Sequence, residues 1–281
     1  MKCWVWFIVF LGGAVAVQGQ VHVEIKRPRV NYLLYEPIVL EIMVQNQSGK
    51  TLEFQEQGGK SWLRFLVKRS NGLLARAARD FSLAPLTLEP GDMAKFKFDL
   101  VPYYNIREVD SYEVSAVVQS PENEGDLMSS KVVFSVIKGN SIWSEQRGMP
   151  GSNERRTFSL ISHLIEDRVT LYAQIESEDN NSVLMCKPLG FLMSGEKPES
   201  EIEGGEKWHV LFRTGAEQFR YFDFSLDGKI LNQEDYASVE TRPRLVNVDG
   251  FFRVIGGMNA EQMRGETLSE AQPPSLVRPG G

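Results

Sequence analysis

The chain has 281 residues, 42% of them apolar and 24% charged, with 31 Lys and Arg against 37 Asp and Glu and a formal charge of −6. Such length and apolar content exclude a disordered chain and leave room for one large or two ordinary domains, each with a proper core. The acidic balance, without any run of like charge, excludes a basic phosphate-binding stripe and with it a nucleic-acid partner.

Residues 1–19 read as a secretory signal peptide. Met1-Lys2 supplies one positive charge, Cys3 to Val17 is unbroken apolar sequence, and Gln18-Gly19-Gln20 follows. Two cleavage frames satisfy the small-residue rule, after Ala16 or after Gly19. The apolar stretch is shorter than the roughly 20 residues of a membrane span and contains Gly12-Gly13. The expectation is a secreted or periplasmic protein with no transmembrane span once the signal is removed. Loss of Lys2 and Cys3 leaves 30 basic residues against 37 acidic ones, a mature charge of −7, and Cys186 as the remaining cysteine. No intramolecular disulfide can then form, so the core must supply the stability. Cys186 lies in the apolar run Ser-Val-Leu-Met-Cys-Lys and reads as a buried, inert thiol.

From residue 20 to 138 the pattern has period two. Val21, Val23 and Ile25 alternate with polar residues, as do Ile38, Leu40, Ile42 and Val44. Leu63, Phe65 and Val67 follow, then Phe96, Phe98 and Leu100, then Tyr112, Val114, Ala116 and Val118, and finally Val132, Phe134 and Val136. Alternation of this kind makes half-buried strands. Gln47-Ser48-Gly49, Gly58-Gly59, Asn71-Gly72 and Glu89-Pro90-Gly91-Asp92 mark the turns between them. Six or seven short strands over about 115 residues suit a two-sheet sandwich. The stretches "YEPIVLEIMVQNQSGKTLEF", "LEPGD" and "DSYEVSAVV" resemble secreted immunoglobulin-like and macroglobulin-like modules. The resemblance implies an immunoglobulin-like β-sandwich, with Tyr112 in the place of the corner tyrosine. The cysteine pair of antibody domains is absent, and Trp62 is the one candidate for their core tryptophan.

Residues 139–155 are polar, rich in Gly, Ser and Asn, and read as a linker. Residues 156–257 carry a faint internal repeat: "RVTLYAQIE" with "NNSVLMCKPLG", then "KPESEIEGGEKWHVLFRTG" with "QFRYFDFSLDGKIL", then "RPRLVNVDGFFRVIGG". Pro198 and Pro243 each precede a strand, a Gly turn and a Val-centred strand, and Val210 and Val254 are 44 residues apart. The segment "IEGGEKWHVLF" resembles the repeat of secreted sialidase-like propellers, although their aspartate box is not matched. About two and a half units fit, fewer than the four blades of a closed propeller. The fold expected overall is therefore all-β, with an N-terminal immunoglobulin-like sandwich followed by an antiparallel β-meander or propeller-like repeat domain. Asp227-Gly228 and Asp249-Gly250 are expected as tight hairpin turns. Residues 258–281, polar and proline-containing, are expected as a disordered tail.

The chemistry is sparse. His22, His163 and His209 have no second histidine at zinc-hydrolase spacing, and one mature cysteine makes no thiolate site. No nucleophile elbow, phosphate loop or dinucleotide fingerprint is present. No catalytic residue, cofactor or metal is assigned. On the strand around Gln218–Phe224, alternation puts Phe222 and Phe224 in the core and Phe219 and Tyr221 on the opposite face. The candidate binding face comprises Trp208, Phe219, Tyr221 and Tyr236, more aromatic than a wet surface requires. Two functions stay open. One is a non-enzymatic binding or assembly module acting through strand edges or this aromatic face, with a protein or carbohydrate partner and room for oligomers. The other is an extracellular carbohydrate-active hydrolase, by analogy with propeller enzymes. An enzyme needs a concave pocket with convergent polar groups; a binding module needs an accessible patch.

Overall fold

A computed structural model describes residues 21–121, 125–179, 182–204, 206–259 and 262. The expected signal peptide and nearly all of the expected tail lie outside the described residues. The strands, in chain order, are β1 (Val21–Lys26), β2 (Asn31–Leu33), β3 (Val39–Asn46), β4 (Leu52–Phe54), β5 (Leu63–Arg69), β6 (Leu86–Leu88), β7 (Met93–Asp99), β8 (Asp110–Gln119), β9 (Asp126–Met128) and β10 (Val132–Ile137). They continue with β11 (Asn140–Gly148), β12 (Arg155–Ile165), β13 (Arg168–Ser177), β14 (Ser182–Phe191), β15 (Glu199–Glu203) and β16 (Lys207–Arg213). The last are β17 (Gln218–Ser225), β18 (Ile230–Ala237), β19 (Arg244–Val248), β20 (Phe251–Ile255) and β21 (Met258–Asn259). The protein is all-β and its sheets are built from antiparallel pairs.

Two compact units interleave along the chain. The first takes the chain up to Val30, Ile38–Ile106 and Asp110–Ser135; the second takes Asn31–Pro37, Arg107–Val109 and Val136 onward. The N-terminal half thus lends two short pieces to the second unit, which differs from the expected clean division near residue 138.

In the first unit, β1–β3–β7 form one sheet and β10–β8–β5, with β9 on β8, another. The expected alternation holds. Val23, Ile25, Leu40, Ile42 and Val44 are buried from the first sheet, and Leu63, Phe65, Val67, Val114, Ala116 and Val118 from the second. The Phe65 and Phe98 rings meet at 4.7 Å and tie the two faces together. Trp62 is buried, and its indole N–H donates to the Ala84 carbonyl at 3.1 Å. Tyr112 is buried too and stacks on Phe134.

The second unit is built from two meanders, β11–β12–β13–β14 and β15–β16–β17–β18 with β21 at its end, and a separate hairpin, β19–β20. One core joins the meanders: Phe158, Leu160, Leu171, Ala173 and Ile175 come from one side, and Trp208, Val210, Phe212, Phe222 and Phe224 from the other. The stretch expected as a linker is mostly β11, paired with β12 at every residue but Ile142. As an edge strand it needs apolar residues on one face alone, and a single aromatic, Trp143, packs on the core. That leaves no periodic signal. Met258 and Asn259, expected to open the tail, pair with β18.

Within this unit Glu36 is buried between two donors. Leu33 N–H donates to Oε2 at 2.9 Å and the Tyr172 hydroxyl to Oε1 at 3.0 Å. The Glu-Pro of the "YEPI" stretch thereby anchors Asn31–Pro37 to β13. Cys186 lies nearby on β14, buried, its thiol pushed up to about 12 by desolvation first and the Glu36 and Glu176 charges next. Its burial is as expected, and a raised thiol is a poor nucleophile. Pro188 of β14 lies opposite Tyr172, and the pairing of β14 to β13 is interrupted by two bulges.

Turns divide into legible and illegible ones. Asp249 and Gly250, with φ of 54° and 90°, form the expected two-residue link between β19 and β20. Glu166 and Asp167 do the same between β12 and β13 with φ of 46° and 64°, although neither is Gly or Asn. A side chain in that left-handed region costs about 1–2 kcal/mol. Asp167→Gly should therefore raise stability by about 1 kcal/mol, after allowing for the entropy glycine adds to the unfolded chain. A higher thermal midpoint checks it.

Candidate functional site

Alternation along β16 and β17 gives their sheet two faces, and the register sets what meets on each. Trp208 opposes Phe224 and Val210 opposes Phe222 on one face; His209 opposes Asp223 and Leu211 opposes Tyr221 on the other. Trp208 is fully buried in the first of these. It stacks on Trp143 at 5.8 Å, meets Phe158 edge-on at 5.5 Å, and donates its indole N–H to Ser200 Oγ at 2.8 Å.

Phe219 and Tyr221 lie on the opposite face, as expected, yet both are buried. With Leu211 they form a second small core under Leu245 and Val254 of β19 and β20. Phe219 is also flanked by two guanidiniums, Arg213 at 5.9 Å and Arg242 at 5.3 Å, both of which pair with Glu196. Tyr236 is half-buried at the margin of this cluster, its hydroxyl on Glu234. The four aromatics expected on one binding face are thus split between two cores. The β19–β20 hairpin folds back over the sheet and takes up the apolar area that looked available.

Under the same hairpin lies a compact polar cluster that sequence reading gave no role. His209 is buried; its Nδ1 is 2.7 Å from the Tyr221 hydroxyl and its Nε2 is 3.4 Å from Glu203 Oε2. Asp223, also buried, faces Lys207 Nζ at 3.3 Å. Glu203 accepts the Phe252 backbone N–H at 2.7 Å, and Glu199, four residues earlier on the same face of β15, accepts the Leu245 N–H at 2.7 Å. Arg244 closes on Glu199 at 2.6 Å. These carboxylates fasten the hairpin to the sheet, since charged acceptors make the stronger hydrogen bonds. A histidine between a phenol and a carboxylate could move a proton, but the Phe252 ring, 5.9 Å away, covers it. Burial pushes the His209 imidazole below its ordinary value, outweighing Asp223 and Glu203, which favour the charged form. Among the described residues no group of three or more His, Cys, Asp or Glu is placed to hold a metal ion.

An accessible edge of this unit is β11. Seven of its nine residues are exposed, including Ile142 at 41%. It ends its sheet, with β12 on one side and no strand on the other among the described residues. A bulge at Ile142 breaks the register between Ser141 and Trp143, while Trp143 to Gly148 run unbroken. An edge of this length is a template for another strand.

No protein-family model and no curated protein matches the chain. Among solved structures, the CARDB domain of a Pyrococcus furiosus protein, determined with di-metal ions, is 18% identical. That match covers 43% of this chain and 90% of that one, with a TM-score of 0.29. Spo0M, a sporulation control protein from Bacillus subtilis, is 10% identical over 60% of this chain and 90% of its own, with a TM-score of 0.30. At those scores neither likeness bears on function.

Two outcomes test the covered face. Tyr221→Ala and Phe224→Ala should both destabilise the protein severely, each by about 3–5 kcal/mol, because each empties a buried site; thermal melts decide it. For His209, the folded value lies below the unfolded one of about 6.5, so its contribution is present above that pH and lost as pH falls below it. The melting midpoint between pH 7.5 and 5 should fall more steeply in the wild type than in His209→Gln.

Proposed function

We propose that the protein is an exported, non-enzymatic assembly module that works through a sheet edge, with a second copy of the chain as its partner. The apolar leader in the sequence supports export. An immunoglobulin-like first unit belongs to this reading, supported by its two antiparallel sheets facing one core. The repeat belongs to it as well: Val210 and Val254 fall on the second strands of two proline-led hairpins, β15–β16 and β19–β20. The observation that carries the proposal is the free outer edge of β11.

The charges on β11 favour self-pairing. Glu145 and Arg147 sit on one face of the strand and form an ion pair with each other. Two copies placed antiparallel about Gln146 set each Glu145 against the other copy's Arg147 and each Ser144 against Gly148. A two-fold contact of this kind is self-complementary, and opposite charges facing each other across strands stabilise the pair. Sliding the register to centre on Glu145 sets like charges together instead, and the Ile142 bulge stops pairing beyond Trp143. The hydrolase alternative has no comparable support, because the buried His209 cluster is covered by the hairpin.

Sedimentation across a concentration series tests this. The wild type should form dimers. Arg147→Glu should weaken them by about tenfold, two like-charge contacts replacing two favourable ones, and Glu145→Arg with Arg147→Glu should restore them. A wild type that stays monomeric, or a double variant no better than the single one, overturns the proposal.

A further inference from the structure

The first unit holds a cleft of about 440 Å³ between β5 and the segment running from Leu74 to Phe81. Phe65, Phe81 and Tyr104 line its inner side. Its wall is fixed by backbone bonds: Ala75 N–H donates to the Val67 carbonyl at 2.9 Å, Ala78 N–H to Tyr103 at 2.7 Å, and Asn105 N–H to Arg76 at 3.0 Å. Phe81 packs on Phe98 at 4.6 Å and on Tyr103 at 5.1 Å, which holds the far end of the wall.

The charge of the cleft opposes that of the chain. Lys60, Arg64, Arg76 and Arg79 line it with a single carboxylate, Asp80, although the whole chain carries −6. Arg64 is paired with Asp126. Lys60, Arg76 and Arg79 make no ion pair among the described residues, and all three are exposed. A hydrogen-bond donor stands beside them: the buried Tyr104 hydroxyl accepts the Phe65 N–H at 2.9 Å. A phenol that accepts keeps its own proton to give. Leu74, at the rim, is 56% exposed, and the adjoining Leu73 is 63% exposed. The volume lies within the range of ligand sites, and the lining combines apolar surface with a few placed polar groups.

We propose that this cleft is a binding site for an acidic peptide segment that carries an apolar side chain. Carboxylates meet Arg76, Arg79 and Lys60, an apolar side chain covers Leu74 and Phe81, and the Tyr104 hydroxyl donates to a peptide carbonyl. The exposed leucines favour a peptide over an acidic sugar, which has no side chain to cover them. The site is separate from the β11 edge and stands whether or not the chain dimerises.

Calorimetry on the full chain tests it, with a capped eight-residue peptide of alternating Glu and Leu as probe. The expected result is saturable binding that weakens with added salt. Arg76→Ala with Arg79→Ala should weaken it roughly five- to tenfold, the loss of two exposed ion pairs, with an unchanged thermal midpoint. Arg76→Glu with Arg79→Glu should abolish it. Absent binding, binding indifferent to charge reversal, equal binding of a Lys-Leu peptide, or binding of an oligouronate in place of the peptide would each overturn the proposal.

Discussion

Burial of β16 and β17 on both faces is the constraint on which the second unit depends. One face closes on β12 and β13 through Trp208, Phe222 and Phe224; the other closes under the β19–β20 hairpin through Leu211, Phe219 and Tyr221. A sheet covered twice must satisfy every polar group it buries. The polar residues of β15 to β17 meet most of that need, although Asp223 Oδ1 is left without a hydrogen-bond partner among the described residues. Glu199 and Glu203 accept hairpin N–H groups, Lys207 approaches Asp223, and His209 meets Tyr221. The cluster looks catalytic in composition, yet Glu199 and Glu203 in it hold the hairpin down, while the other two pairs join β16 to β17.

The same logic explains the short segment around Glu36. A carboxylate taken out of water is costly unless its oxygens are hydrogen-bonded. Here each oxygen has a donor, one from Leu33 in its own turn and one from Tyr172 on β13. A stretch far upstream in sequence is in this way made part of the second unit, and the boundary between units does not coincide with any change in composition.

Strands with one wet face were legible. The alternation through Val23, Leu40, Phe65 and Val114 follows directly from half-burial, as do the glycine-containing turns at Asn71-Gly72 and Asp249-Gly250. Charge is a poor guide on β17. Asp223 in the Phe-Arg-Tyr-Phe-Asp-Phe run argues for a wet face, but it is buried, because its cover comes from Leu245 to Val254, about 20 to 30 residues downstream. The strand β11 was hidden for the converse reason. Its exposed residues resemble loop sequence, and Trp143 alone faces the core. The turn at Glu166-Asp167 was invisible because it lacks the residues that such backbone angles favour.

The two ends of the β11–β14 sheet are unequal. At one end β14 carries Pro188, which has no N–H to offer a neighbour, and bulges that bend its edge. At the other end β11 is straight from Trp143 to Gly148. A sheet with two open ends would grow by stacking copy upon copy into a filament. If copies pair through β11 as proposed, the proline and bulges at the other end of this sheet oppose further stacking along it, and association through this sheet would end after one step.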